Sequence, residues 1–243
     1  MITAAILAGG TGSRMGSVKK PKQYLMLGTK PVFIHTLEKF MSHPQFEQIV
    51  VLCPEQWLHH TKKLMEKYME PGLLERGVPK VSVISGGATR NETILKAIQY
   101  LEEETHVPAD EIFLVTHDSV RPFVTYRIIE ENIHYGMEYG ACDTVMPASD
   151  TIVESLNGSF LSKIPDRQNL YQGQTPQSFW AGKWKNLYGE LPNEDKNKLS
   201  DALRVYTMMG EQVWMVRGEA GNIKITYSFD YQIAEQMVRD QYV

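Results

Sequence analysis

Five short β-prone apolar runs, at 2–7, 49–53, 81–84, 112–115 and 143–146, alternate along the chain with segments whose apolar residues recur at helical spacing. Strands apolar on both faces need cover on both sides, so the alternation predicts a mainly parallel sheet with helices packed against it. Phe33, Leu37, Phe40 and Met41 mark a helix over 32–41, with Pro31 suited to its first turn. Trp57, Thr61, Leu64, Met65 and Tyr68 mark a second, Ile94, Ile98 and Leu101 a third, and Ile129, Ile133 and Met137 a fourth. In such a sheet ligands sit beyond the carboxyl ends of the strands. The polar and glycine-rich clusters of this sequence fall at those ends.

A length of 243 residues suits one α/β domain, 1–243, with an appendage. The appendage shows at 150–168, where Thr151 to Ser155 and Phe160 to Ile164 flank Asn157-Gly158. Asn-Gly between β-prone runs predicts a hairpin. A two-stranded apolar arm is marginal alone, so it is expected to pack on a second subunit and make a homodimer. Beyond it, a polar stretch over 165–177 leads to helices around 184–187 and 199–208, a strand at 213–216, and Ile223 to Thr226 before a last helix.

The first run ends in Gly9, Gly10 and Gly12, followed by Arg14 and Lys22. Glycines free the backbone to turn several N–H groups onto one anion, and the two cations add charge, so the segment reads as a phosphate cradle. A glycine-rich turn with two solvated cations is the alternative. Neither standard phosphate loop fits: Gly10, Gly12 and Gly16 are spaced G-x-G-x-x-x-G, and no G-K-[ST] is present.

Asp118 follows the fourth strand between His117 and Arg121, with Pro122 stiffening the turn. It suits a ligand to Mg²⁺ or to a sugar hydroxyl beside an arginine that grips a phosphate; a helix cap is the alternative. His117 reads as structural rather than as a base. Gly86-Gly87 opening a helix, with Arg90, Asn91 and Thr93, suits base or ribose recognition through exposed amides, or is a plain helix start. Lys224, between Ile223 and Ile225, reads as a late-strand lysine that contacts phosphate or is merely solvated. Arg14, Lys22, Arg121, Arg167 and Lys224 around one prominent carboxylate are a poor set for proton abstraction or acyl transfer. They suit phosphoryl or nucleotidyl transfer, where positioning and charge neutralisation do most of the work.

Partners and compartment follow from charge and from what is missing. A net charge of −4 argues against nucleic acid as the main partner. Cys53 and Cys142 make no disulfide framework and read as reduced buried thiols. With no basic n-region and no run of about 18 apolar residues, no membrane span is expected and a cytoplasmic protein is.

Leu7-Ala8-Gly9-Gly10-x-Gly12-x-Arg14-Met15 with Pro21-Lys22-Gln23, Gly86-Gly87-x-x-Arg90, His117-Asp118-x-x-Arg121-Pro122, Asp150-Thr151, Thr175-Pro176-Gln177 and Asn222 to Thr226 occur in order over nearly the whole chain. Together they resemble the cytidylyltransferases that make CDP-methylerythritol and CDP-ribitol. The resemblance implies a Rossmann-like nucleotide-diphospho-sugar transferase fold. It also implies attack of a polyol phosphate on the α-phosphorus of CTP, with Mg²⁺, releasing pyrophosphate. Arg14 and Lys22 would stabilise the transition state, and Arg167 and Lys224 would position the phosphates. Leu7, Ala8, Gly9, Gly10, Gly12, Gly87, Ala88, Thr89, Arg90, Asn91, Glu92, Thr93 and Ser119 would hold CTP. Asp118, also the expected metal ligand, and Arg121, Thr151, Thr175 and Ser200 would face the acceptor, Thr151 and Arg167 serving the partner's site across the arm.

Leu-Ala-Gly-Gly in the first motif, Ala88 and Ser119 depart from the residues the methylerythritol enzymes usually show, and Tyr171-Gln172-Gly173-Gln174 resembles the ribitol branch more closely. The expected acceptor is therefore D-ribitol 5-phosphate, for cell-wall teichoic acid synthesis. The alternatives are 2-C-methyl-D-erythritol 4-phosphate, for isoprenoid synthesis, and a catalytically silent nucleotide-binding module.

Overall fold

A computed structural model describes residues 1–10, 20–70, 72–73 and 79–240. Its centre is a seven-stranded sheet of β1 (Ile2–Leu7), β2 (Gln48–Cys53), β3 (Lys80–Ser85), β4 (Phe113–Asp118), β5 (Ala141–Pro147), β6 (Tyr171–Trp180) and β7 (Trp214–Arg217), ordered β3-β2-β1-β4-β6-β5-β7. β3, β2, β1 and β4 run parallel, as the alternation predicts. β6 is antiparallel to both neighbours, and β7 is parallel to β5.

The helices are α1 (Val32–Met41), α2 (Leu58–Tyr68), α3 (Arg90–Thr105), α4 (Tyr126–Tyr139), α5 (Ala181–Glu190), α6 (Arg204–Met208) and α7 (Ser228–Arg239), with a single turn at Asn193–Lys196. The strands split their side chains between two cores. Ala4 and Ile6 of β1, Ile49 and Val51 of β2 and Phe113 of β4 face α1, α2 and α4; Ala5, Leu7, Val50, Leu52 and Leu114 face α3, α5 and α6. This period-two division is why those runs are predominantly apolar, the buried Thr3 of β1 being satisfied by donating its hydroxyl to Phe113 O at 3.3 Å. A third, smaller core joins Leu27, Val32, Val120, Phe123 and Ile225 to Ala234 of α7. It fixes the segments that carry Lys22 and Lys224 against one helix. No described helix is long and apolar enough to cross a membrane. Cys53 and Cys142 are free and buried.

Three elements besides the arm differ from the expectation. The polar stretch 165–177 contains most of β6, a central strand whose buried polar side chains are satisfied: Ser178 Oγ donates to Asn132 Oδ1 at 3.1 Å, and Thr175 Oγ1 pairs with His117 Nδ1 at 2.9 Å. Pro176 is tolerated because the β5 register shifts between Asp143 and Val145, a bulge where no ladder donor is needed. Of 199–208, only Arg204–Met208 is helical. Lys224 lies in an extended segment outside any strand, anchored by the Ile225 N–H donating to Val120 O at 3.0 Å.

The arm at 150–168 is an exposed excursion with one β-bridge, Glu154 to Lys163, rather than a regular two-strand ladder. Side chains build its tip. Asn157 Oδ1 accepts from Ser159 and Phe160 N–H, Ser155 Oγ donates to Phe160 O, and Gly158 sits at φ +74°, where a β-carbon is disfavoured.

Candidate active site

A cavity of about 290 Å³ opens over the end of β1. Of the residues expected to hold CTP, Leu7, Gly9, Gly10, Gly87, Ala88, Thr89, Arg90, Thr93 and Ser119 line it, together with Lys22, Asp118 and Lys224. Gly12 and Arg14 lie outside the described residues. Ala8 is buried beside the cavity, its N–H donating to Leu52 O and its carbonyl accepting from Gln23 Nε2 at 2.7 Å. Asn91 is buried and turned toward Asp201 O, and Glu92 is turned back onto its own loop.

The Gly86-Gly87 turn departs from its expectation. The Gly86 N–H donates to Cys53 O, the Gly87 N–H to Thr93 Oγ1 at 3.0 Å and the Ala88 N–H to Glu92 Oε2 at 2.9 Å, so these amides are used inside the turn. Thr89 caps α3 by accepting from the Glu92 N–H. Gly87 is needed there for contact: a β-carbon would come 2.5 Å from Glu92 Cβ. What the turn presents to the cavity is its surface and the Arg90 side chain.

Asp118 organises the floor. Arg90 Nη1 donates to its Oδ1 at 2.5 Å, Arg121 Nε to its Oδ2 at 3.3 Å, and Lys224 Nζ lies 3.0 Å from Oδ2. The Asp118 N–H donates to Thr175 Oγ1 at 3.2 Å. Burial alone would raise the Asp118 carboxyl, but Arg90, Lys224 and Arg121 together hold it well below the usual carboxylate range. Arg121, behind the cavity, also donates from Nη1 to Asn222 O at 2.8 Å. His117 is fully buried, its Nε2 against Arg121 O and its Nδ1 against Thr175; burial drives its pKa down to about 3. A neutral, internally bonded imidazole is structural, as the sequence reading had it.

Both Asp118 oxygens are engaged by basic groups, and no group of three His, Cys, Asp or Glu among the described residues could hold a metal ion. A Mg²⁺ ion on this carboxylate would stand against three cations at hydrogen-bond range. Asp118 therefore does not fit the metal-ligand role expected of it, and serves as the counter-charge of Arg90, Arg121 and Lys224.

Thr175 lies under Asp118 in the buried part of β6. Thr151, Ser200 and Arg167 are exposed, Arg167 donating to Ser149 O at 2.9 Å near the base of the arm, and the single chain does not bring these three to the cavity lining. Residues the sequence reading left unassigned also meet here. Gln23 lines the cavity, and Gln177, Asp143 and Asp201 form a polar network behind Arg90. Their signals were a carboxylate in an apolar strand run for Asp143, membership of the quoted motifs for Gln23 and Gln177, and adjacency to Ser200 for Asp201.

Residues 2–240 match the family model of 2-C-methyl-D-erythritol 4-phosphate cytidylyltransferase. The chain belongs to that family. Among solved structures, 2-C-methyl-D-erythritol 4-phosphate cytidylyltransferase of Francisella tularensis is 25% identical, with 97% of this chain and 98% of that one covered at a TM-score of 0.76. The 4-diphosphocytidyl-2C-methyl-D-erythritol synthase of Anaerococcus prevotii is 22% identical, covering 98% and 96% at a TM-score of 0.76. The Thermus thermophilus 2-C-methyl-D-erythritol 4-phosphate cytidylyltransferase is 22% identical, covering 98% and 100% at a TM-score of 0.69. The fold is thus that of the family's nucleotidyltransferases, a mostly parallel Rossmann-like sheet with helices on both faces.

Proposed function

We propose that the cavity binds CTP and that the chain transfers its CMP to a small polyol phosphate, releasing pyrophosphate. The observation that carries this is convergence: Lys22 and Lys224, from opposite ends of the sequence, and Arg90 line one cavity over Gly9 and Gly10. An oxygen of the acceptor phosphate forms a bond to the α-phosphorus, the bond to the β-phosphate bridging oxygen breaks, and pyrophosphate leaves. Negative charge on the equatorial oxygens in passage is what preorganised cations stabilise. In this reading Arg14 and Lys22 stabilise the transition state, Lys224 positions the phosphates, and Asp118 faces the acceptor with Arg121 and Thr175 holding it from behind.

Thr151 and Arg167 enter from a second subunit through the arm. The arm's exposed Leu156, Phe160, Leu161 and Ile164 support a dimer, because none of the described residues of its own chain covers them.

The motifs and the relatives favour different acceptors. D-ribitol 5-phosphate is favoured by the resemblance of Tyr171-Gln172-Gly173-Gln174 to the ribitol branch and by Leu-Ala-Gly-Gly, Ala88 and Ser119, which depart from the usual methylerythritol motifs, with teichoic acid as the destination of its product. 2-C-Methyl-D-erythritol 4-phosphate is favoured by the names of the matched family and of the three relatives, which support it more directly than they support ribitol phosphate. The test is pyrophosphate release from CTP with each acceptor, in Mg²⁺ because the family generally depends on a divalent cation. Release with one acceptor assigns it. Release with neither, from protein that binds CTP, overturns the transferase reading.

A further inference from the structure

Behind Arg90, on the side away from Asp118, lies a network the proposed chemistry leaves unused. Gln177 is fully buried in β6. Its Oε1 accepts from Arg90 Nη2 at 3.3 Å, and its Nε2 donates to Asp143 Oδ1 at 3.0 Å and to Asp201 Oδ2 at 2.6 Å. The partners come from separate elements. Asp143 is the cross-strand neighbour of Gln177 on β5, Arg90 opens α3, and Asp201 sits in the loop before α6, where its Oδ1 also accepts from the Leu203 N–H at 2.8 Å.

Chemistry fixes which way the amide points: a guanidinium only donates and an ionised carboxylate only accepts, so Oε1 must face Arg90 and Nε2 the aspartates. Glutamate here would bring a third carboxylate against two. Methionine would leave a guanidinium nitrogen and two aspartate oxygens without this partner in a buried place. Arg90 Nε has no acceptor among the described residues, so the guanidinium is located by its two terminal nitrogens, one on Asp118 and one on Gln177.

We infer that Gln177 is a positioning residue for the transfer: it grips Arg90 from behind, keeping the guanidinium on Asp118 and Asp118 on the Lys224 ammonium at the cavity. Its kinetic consequence rests on the CTP reading above. The contacts run without a break from Asp143 and Asp201 through Gln177, Arg90 and Asp118 to Lys224. The grip also has a titratable end. Burial pushes Asp143 up to about 7, the Asp201 charge adds to the rise, and Gln177 and Arg90 oppose it. These are the groups that face it, from the loop before α6, from β6 and from α3. Below neutral pH Asp143 gains a proton, and the negative charge holding the Gln177 amide is halved.

The test uses full-length Gln177→Met and Asp143→Asn, the latter keeping an acceptor oxygen for Gln177 while removing the titration. Gln177→Met is expected to lower kcat at least about tenfold, as small misplacements of catalytic groups do, with KM for CTP within about threefold. The wild-type kcat profile is expected to inflect near pH 7 and the Asp143→Asn profile to lack that inflection. A folded Gln177→Met with kcat within about twofold of wild type, or an inflection retained in Asp143→Asn, overturns the inference. If Gln177→Met does not fold, the Asp143→Asn profile decides. If the wild type turns over neither acceptor, the transferase reading fails separately, and side-chain exchange of Arg90 measured by ¹⁵N NMR decides this one. Exchange faster by about tenfold or more in Gln177→Met, or in Asp143→Asn below pH 7, supports it, and unchanged exchange in the variant that folds overturns it.

Discussion

Two aspartates sit on the α3 side of one sheet in opposite surroundings. Asp118, at the end of β4, meets Arg90, Arg121 and Lys224 and is held ionised. Asp143, two strands across on β5, meets an amide and a second carboxylate and is pushed toward neutrality. The difference teaches that local charge is set by partners, not by residue type or by the net charge of −4. Three cations against one carboxylate leave the cavity side with a positive surplus, suited to a triphosphate. The far side is short of cations, and Arg90 and Gln177 are where the two meet.

The comparison breaks first at Asp118. Asp118→Asn removes the counter-charge of three basic groups, among them the buried Arg121 and the partly buried Arg90, and is expected to cost about 3–5 kcal/mol in thermal or urea unfolding. A loss under about 1 kcal/mol would mean that those cations do not depend on it. Because the folded pKa of Asp118 is depressed, its contribution is present above the ordinary carboxylate range and fades only in strong acid. Next in size, Lys224→Ala is expected to lower kcat about 10²-fold, as loss of a preorganised donor does, which steady-state pyrophosphate release would read.

His117 sharpens the same side. Its folded pKa of about 3 lies below its ordinary value of 6.5, so its contribution is full above about pH 6.5 and is lost as pH falls toward 3. The slope approaches about 1.4 kcal/mol per pH unit at most, and His117→Gln should flatten it in denaturation series at pH 4–7. The smallest effect has the opposite sign. Asp143 has a raised folded pKa, so stability is full below its ordinary range of about 4 and falls as pH rises toward 7. Asp143→Asn should therefore gain about 1 kcal/mol, or a few degrees of Tm, at pH 8, and the gain should shrink by pH 5. A loss at pH 8 would mean that the charge on Asp143 is wanted where it is.

What could be read from the sequence follows from what burial does to each segment. β1 and α1 were legible to the residue because strands buried on both faces are predominantly apolar, with Thr3 the one polar residue of β1, and an amphipathic helix repeats its stripe. β6 was not, because Thr175, Gln177 and Ser178 are buried by being satisfied, and periodicity sees only apolarity. The cluster at Asp118, Arg121 and Lys224 was legible as residue types, although Lys224 lies outside any strand. The three-way ion pair was not, since nothing local says that Arg90 and Lys224 share one carboxylate, and so a metal was expected where two arginines and a lysine already stand. The Gly86-Gly87 amides were misread for a similar reason: Thr93 and Glu92, within one turn, already accept from them.

The most direct test is a crystal structure of the protein with a non-hydrolysable CTP analogue and Mg²⁺. The triphosphate should lie over Gly9 and Gly10 between the Lys22 and Lys224 ammonium groups, with Arg90 still bridging Asp118 and Gln177. Nucleotide bound elsewhere, or phosphates that touch neither lysine, would contradict the account.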